Sequence, residues 1–162
     1  MSIRKAGLTD LNLIREITLI TISEIYPHYY PKGAVTFFLE HHCEANILND
    51  IKNNQVFLCI GHEQAVVGTV TIKKNEICRL FVLPQYQKNG YGKEMLDYAE
   101  SIIAKTYSEI CIDASLPAKK LYMKRGYEET QYHTIHVSND DFLCYDVMRK
   151  RIGPGFVKCR QI

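Results

Sequence analysis

The sequence lacks the features that mark several large classes of protein. It has no Cys-x-x-Cys pair for a structural metal, and no apolar run approaches the ~20 residues that a membrane-spanning helix needs. Its formal net charge is only +2, and its densest basic run, at residues 149–151, is too short for a surface that binds a phosphate backbone. We therefore expect no metal, no membrane partner and no nucleic-acid partner.

The six cysteines give no sign of a disulfide framework. They are spread through apolar segments, and no secretory signal precedes them. We therefore expect reduced thiols and a cytoplasmic location.

The composition indicates one folded domain. Hydrophobic residues make up 46% of the 162 residues and charged residues 23%, which is typical of globular rather than disordered chains. A chain of this length can bury a single core. We expect one domain over residues 1–152 and a tail at residues 153–162, where no periodicity remains.

The hydrophobic pattern predicts a mixed order of helices and strands. Helices are predicted from an N-cap at Thr9 to before Pro27, within residues 34–53, after Gly92, and after an N-cap at Ser115. Strands are predicted at residues 2–6, 56–60, 65–72, 77–82, 109–113, 127–137 and 142–149.

The most informative stretch joins a strand, a glycine-containing turn and a helix at residues 80–93. Such a junction points several backbone N–H groups at one spot and favours the binding of an anion. A Walker loop would need Ser or Thr after Lys93, where Glu94 stands, and a Rossmann fingerprint would need a third glycine where Met95 stands. Both nucleotide-binding motifs are therefore disfavoured.

Two motifs together resemble those of a known family. The first is Gln-x-x-Gly-x-Gly at residues 87–92, and the second is Ser-x-x-Ala-x-x-x-Tyr-x-x-x-Gly-Tyr at residues 115–127. In this order they resemble the motifs of the GNAT superfamily of acyl-CoA-dependent N-acetyltransferases, and the resemblance covers about residues 3–149. Family members commonly carry Asn where Ser115 stands and Phe where Tyr127 stands.

The resemblance implies an α/β fold in which a twisted, mixed and mostly antiparallel sheet of about six or seven strands is flanked by helices. The fourth strand would splay from the parallel fifth strand and open a cleft for acetyl-CoA, the implied cosubstrate. Backbone groups of Phe81 and Val82 would pair with the pantetheine arm, and the amides between Lys88 and Lys93 would hold the pyrophosphate. The implied cofactor-binding residues are Phe81, Val82, Gln87, Lys88, Asn89, Gly90, Tyr91, Gly92, Lys93, Ser115 and Ala118.

The resemblance also implies catalytic roles. Tyr122 matches the signature tyrosine and would protonate the departing thiolate, since a phenol with a pKa near 10 is protonated at neutral pH. Glu76 opens the fourth strand and would act as the base, and the amide of Val82 would stabilise the oxyanion. From the residues alone, Tyr122 could equally be a core tyrosine and Glu76 an exposed glutamate at a strand edge.

The acceptor is expected near the aromatic, proline-punctuated segment at residues 26–31. Helices after the first strand commonly line the acceptor pocket in this family, so the resemblance implies acceptor-pocket roles for Tyr26, His28, Tyr29 and Tyr30. The alternative is that these side chains only pack under a loop. The run from His41 to Cys43 is not expected to bind a metal, because adjacent helical residues point about 100° apart.

These observations lead to one expected function and two alternatives. We expect an N-acetyltransferase that moves acetyl from acetyl-CoA to a primary amine, by direct attack in a ternary complex. The acceptor would be a small-molecule or peptide amine, and a homodimer is common in the family. A catalytically silent CoA-binding sensor and, less favoured, a nucleotide-binding protein are the alternatives.

Overall fold

The computed structural model describes residues 1–62 and 64–153. Residues 154–162, which make up most of the predicted tail, lie outside this range. The strands are β1 (Ser2–Lys5), β2 (Val56–Ile60), β3 (Val66–Lys73), β4 (Glu76–Val82), β5 (Glu109–Ala114), β6 (Glu128–His136) and β7 (Phe142–Arg151). The helices are α1 (Leu11–Ile25), α2 (Lys32–His41), α3 (Glu44–Lys52), α4 (Tyr91–Ile103) and α5 (Leu116–Lys124).

The strands form one seven-stranded sheet in the order β1-β2-β3-β4-β5-β7-β6. All neighbours are antiparallel except β4 and β5, which run parallel. Their crossover is α4, whose buried residues include Met95, Leu96 and Ala99 at helical spacing. The predicted α/β fold with a mixed, mostly antiparallel sheet is confirmed.

Two local predictions need correction. Thr9 is not the N-cap of α1, because a short 3-10 turn at Leu8–Asp10 precedes the helix and the Asp10 carboxylate accepts the Gly7 N–H at 2.8 Å. The aromatic segment predicted as a loop contains a further 3-10 turn at Tyr26–His28. In the part of the chain described here, no helix is both long and apolar enough to cross a membrane.

Helices cover both faces of the sheet and give it two main cores. On one face α4 packs on a cluster that includes Val82 and Ile112. On the other face α1 and α2 pack on a cluster that includes Tyr26, Phe81 and Leu143. The side chains of β4 therefore alternate between two helix layers, as a strand buried on both faces must.

Strands β4 and β5 pair at one end only. The single matched pair is Glu76 with Cys111, and the Cys111 N–H donates to the Asn75 carbonyl at 2.9 Å. The β3–β4 register shifts between Thr71 and Ile72, so that Cys78 has no partner on β3. Beyond this bulge β4 and β5 separate, and the separation opens the cleft that is described next.

Candidate active site

A cleft of about 410 Å³ lies where β4 and β5 separate. One wall is β4, from Ile77 to Val82, and the other is formed by the end of β5 and the first turns of α5. Residues of α1 and α2, together with Tyr26 of the 3-10 turn between them, line one mouth, and the turn before α4 forms the opposite end. A basic end at Lys88 and Lys93 and an apolar stretch beyond it suit a long ligand with an anionic head.

The backbone of β4 is exposed along the cleft. The Leu83 N–H donates to the Val67 carbonyl at 2.9 Å, and hydrogen-bonded and non-hydrogen-bonded pairs alternate along an antiparallel ladder. The backbone groups of Phe81 therefore face β3, whereas those of Leu80 and Val82 face the cleft. Leu80 rather than Phe81 thus presents its backbone to the cleft beside Val82.

The Val82 carbonyl is already occupied inside the protein. It accepts hydrogen bonds from Gln87 Nε2 at 3.0 Å and from Thr21 Oγ1 at 3.5 Å. The Gln87 side chain therefore folds back and ties the turn to the end of β4. The Val82 N–H points away from β3, and β5 is matched to β4 only at Glu76, so this N–H faces the opening.

The turn before α4 is built to hold an anion. None of the backbone N–H groups from Lys88 to Lys93 has an acceptor in residues 1–62 and 64–153. Lys88 and Gly90 have positive φ angles of 64° and 87°, so the chain turns sharply here. A Cβ added at Gly90 would meet no atom within 4 Å, and Gly90 itself lines the cleft.

The donor set of this turn fits a pyrophosphate. Six consecutive amides at the start of a 13-residue helix give both hydrogen-bond donors and a positive partial charge. The side chains of Lys88 and Lys93 also line the cleft, whereas those of Asn89 and Tyr91 do not. Asn89 donates to the Tyr86 carbonyl at 3.3 Å, and Tyr91 is buried in the core.

Tyr122 lies in the wall of the cleft with a hydroxyl that has no hydrogen-bond partner in the described part of the chain. The residue is only 5% exposed, yet its hydroxyl is not among the polar atoms sealed from solvent. Burial, with a smaller effect from Tyr26, raises the pKa of the Tyr122 phenol above its usual value. The group is therefore a proton donor at neutral pH with its hydrogen free to point into the cleft.

Hydrogen bonds fasten the aromatic segment to the start of α5. The Tyr26 hydroxyl donates to Ser115 Oγ at 3.3 Å, and the Leu116 N–H donates to the Tyr30 hydroxyl at 2.7 Å. Tyr30 in turn donates to the Cys144 carbonyl at 3.3 Å. Ser115 is the residue before α5, as predicted, but its side chain makes no capping bond.

The four residues predicted for the acceptor pocket separate in the structure. Tyr26 lines the cleft, whereas Tyr30 is buried and does not line it. His28 and Tyr29 are exposed and are not part of the cleft lining. These residues are neighbours in the sequence, but only Tyr26 contacts the cleft.

Glu76, the predicted base, does not line the cleft. It is the first residue of β4, at the end where β4 and β5 are still paired. Ala118 and Ser115, predicted to contact the cofactor, do line the cleft.

Several polar residues of the cleft were missed by sequence reasoning. Arg79 forms a buried ion pair with Asp50, and its Nε donates to Thr71 Oγ1 at 3.1 Å. His42 faces the Phe81 ring edge to face at 5.5 Å, and burial, followed by nearby Arg79, lowers the pKa of its imidazole to about 3.

Thr21, Asp113 and Cys78 belong to the same set. Burial, followed by Glu76, raises the pKa of the Cys78 thiol to about 12, so it stays protonated at neutral pH. Arg79 on β4 and Asp113 on β5 could have been found from the sequence, because each is a charged residue inside an otherwise apolar strand.

A family model described as an acetyltransferase (GNAT) domain matches residues 25–142. The chain belongs to the GNAT acetyltransferase family. It is accordingly an acyltransferase, and the predicted family is confirmed. The described residues contain no group of three or more His, Cys, Asp or Glu that could hold a metal.

Two curated relatives are named as acetyltransferases. An N-alpha-acetyltransferase of Sulfurisphaera tokodaii is 27% identical over 142 residues, which cover 80% of this chain and 81% of that protein. A spermidine N(1)-acetyltransferase of Thermoplasma acidophilum is 26% identical over 115 residues, which cover 65% of this chain and 71% of that protein.

Solved structures of other GNAT proteins share the fold. A GCN5-related N-acetyltransferase from Rhodopseudomonas palustris superposes with a TM-score of 0.84 at 21% identity, covering 93% of this chain and 95% of that one. The paiA N-acetyltransferase of Thermoplasma acidophilum, solved in complex with coenzyme A, gives a TM-score of 0.71 at 22% identity, covering 93% and 98%.

Proposed function

We propose that this GNAT protein transfers the acetyl group of acetyl-CoA to a primary amine, by direct attack of the amine on the thioester in a ternary complex. The observation that carries the proposal is one cleft in which six amides at one end and the hydroxyl of Tyr122 in the wall have no hydrogen-bond partner among the described residues. The first feature suits the pyrophosphate of CoA, and the second suits a thiolate leaving group. The complex of the Thermoplasma paiA protein with coenzyme A supports the choice of cosubstrate.

Each part of the cleft has a role in this scheme. The amides from Lys88 to Lys93 hold the pyrophosphate, and the exposed backbone of Leu80 pairs with the pantetheine arm. As the amine nitrogen bonds to the thioester carbon, the Val82 N–H stabilises the developing oxyanion. The carbon–sulfur bond then breaks, and Tyr122 gives its phenolic proton to the CoA sulfur. Glu76 as the base stays a prediction.

The names of the two curated relatives support a proposal for the acceptor class. One acts on N-terminal α-amines by its name, and the other on spermidine. We propose an acceptor from one of these two classes, a peptide with a free N-terminus or a polyamine. Both carry a primary amine that is protonated in solution and must lose its proton before it can attack.

Thermal unfolding tests the cofactor assignment. CoA and acetyl-CoA should raise the melting temperature, because a ligand at 100 times its Kd stabilises the native state by about 2.7 kcal/mol. ATP and NAD serve as controls and should have no effect. No shift at millimolar CoA would contradict the assignment, and a shift with ATP alone would favour the nucleotide-binding alternative.

Thiol release tests the reaction. Acetyl-CoA is incubated with spermidine and with short peptides that have free or blocked N-termini, and free CoA is measured with a thiol reagent. We expect release with one acceptor class and none with peptides whose amines are all blocked. Binding of CoA without release for any amine would instead identify a silent CoA sensor.

A further inference from the structure

Asp113 is the one carboxylate that lines the cleft in the described part of the chain. It is the fifth residue of β5, and its neighbours Ile112 and Ala114 are buried under α4 and α5. Because side chains alternate along a strand, Asp113 points to the opposite face, toward the layer of α1 and α2. That mouth of the cleft lies away from the turn that suits the pyrophosphate.

The charge of Asp113 is not neutralised by any residue that the structure describes. Its carboxylate makes no hydrogen bond or ion pair with any residue that the structure describes. The guanidinium of Arg79, which also lines the cleft, is committed to Asp50, and Asp50 is contacted in addition by Lys73 Nζ at 2.7 Å. A cation that enters this mouth therefore finds one unpaired carboxylate.

The surroundings of Asp113 come from three elements. His133 on β6 and His41 at the end of α2 lie close enough to favour its charged form, and Tyr145 on β7 is close enough to be influenced by it. Asp113 is exposed at this mouth, yet its partial burial outweighs the two imidazoles and raises the pKa of its carboxyl above the usual value. His42 and Cys78, which share the cleft, are held uncharged by their own burial and do not repel a cation.

Glu76 is less well placed for the same task. It sits where β4 and β5 are paired and does not line the cleft, whereas Asp113 lies two residues beyond Cys111, the partner of Glu76, where the strands have separated. A carboxylate must reach the attacking nitrogen within hydrogen-bond distance to remove its proton. Of the two, only Asp113 lines the cleft that an acceptor can enter.

We propose that Asp113 binds the ammonium group of the acceptor and takes its proton, so that it, and not Glu76, is the base of the reaction. This inference rests on the proposed function. Asp113 removes one proton from the ammonium and releases it to solvent at the mouth. The neutral nitrogen forms its bond to the thioester carbon, the carbon–sulfur bond breaks, and the sulfur takes the proton of Tyr122. The second nitrogen proton returns through solvent to Tyr122, so one proton is released per turnover.

Asp113→Asn tests this role because it keeps the shape of the side chain and removes its basicity. With the acceptor found by thiol release, kcat/KM should fall about 100-fold or more, the range expected for loss of a general base. The CoA-induced thermal shift should be unchanged. Asp140→Asn is the matched control, since Asp140 is exposed on the turn between β6 and β7, outside the cleft.

Two further measurements separate a base from a residue that only supports the structure. The loss in Asp113→Asn should shrink along a series of acceptors of similar size and decreasing amine basicity, since weakly basic amines arrive without the proton. Between the pKa of the Asp113 carboxyl and that of the amine, the kcat/KM of wild type should stay nearly level as the pH falls, whereas that of the variant should fall about tenfold per pH unit. The reason is that wild type uses the ammonium form of the acceptor, whereas the variant depends on the fraction of amine that is already neutral.

The outcomes are distinct. Near-wild-type kcat/KM in Asp113→Asn, an equal loss in Asp140→Asn, or a larger loss in Glu76→Gln would overturn the role of Asp113 and leave the proposed function standing. Loss of the CoA-induced shift in Asp113→Asn would also overturn it, since the residue would then serve folding or cofactor binding. If wild type binds CoA and releases no thiol with any amine, the proposed function fails, and the role of Asp113 fails with it.

Discussion

The hydroxyl of Tyr122 offers the sharpest test of the active site, because removing it should affect chemistry and not stability. A typical hydrogen bond contributes about 0.5–1.5 kcal/mol to folding, and the Tyr122 hydroxyl makes none with the described residues. Tyr122→Phe should therefore change the free energy of unfolding by less than about 0.5 kcal/mol. Its kcat should fall about 100-fold or more, because the thiolate leaves without a proton donor.

Tyr127→Phe is the matched control, with the opposite expectation. The Tyr127 hydroxyl donates to Glu100 at 3.1 Å, and the ring lies edge to face with that of Tyr122 at 5.7 Å. Loss of a hydrogen bond to a charged acceptor costs about 1.5–3 kcal/mol, which would lower the melting temperature by several degrees. Because Tyr127 does not line the cleft, its kcat should stay close to that of wild type.

The assay combines kcat from thiol release with melting temperatures measured with and without CoA. Wild-type turnover in Tyr122→Phe would remove Tyr122 from the mechanism. An equal drop in kcat for both variants would show that the effect comes from packing of the ring pair rather than from proton donation.

Three further predictions follow from the geometry. Gly90→Ala should weaken CoA binding, because its methyl group would enter open space in the cleft. Gly126 has a similar φ of 82° but lies outside the cleft, so Gly126→Ala is the control. Each variant should lose roughly 1 kcal/mol of stability, but only Gly126→Ala should keep the CoA-induced shift in melting temperature. The pKa of His42 is lowered from 6.5 to about 3, so its contribution to stability is present above pH 6.5 and is lost as the pH falls toward 3. Urea unfolding at several pH values should show this loss as a slope of the free energy of unfolding against pH, at most about 1.4 kcal/mol per pH unit. The slope should be smaller in His42→Gln, and an equal slope in the variant would contradict the prediction. Gly33→Ala should destabilise the protein by about 1–3 kcal/mol, since a Cβ there would overlap the Ser138 carbonyl oxygen and disturb the 2.8 Å bond from the Gly33 N–H to Asp141; a wild-type melting temperature would refute this.

The features that sequence predicted well are local in the chain. The turn at residues 87–93 could be interpreted without its surroundings, because a glycine with positive φ before a helix fixes where the following amides point. The position of Tyr122 followed from a motif of 13 residues within one helix and its flanks. The acceptor residues were harder to predict, because Tyr26, His28 and Tyr29 are close together in the chain but lie in different environments in the folded protein.

The sequence by itself determined the element order, the anion-binding turn and the family of this protein, because each depends on the spacing of residues close together in the chain. Only the tertiary structure decided which polar groups meet in the cleft. The bond between Tyr26 and Ser115 joins residues 89 positions apart, and the ion pair of Arg79 with Asp50 joins residues 29 positions apart. The bulge at Cys78 and the separation of β4 from β5 determine that Val82 and Asp113 face the opening while Glu76 does not. Strand pairing sets these directions, and pairing is a property of the whole sheet rather than of any one strand.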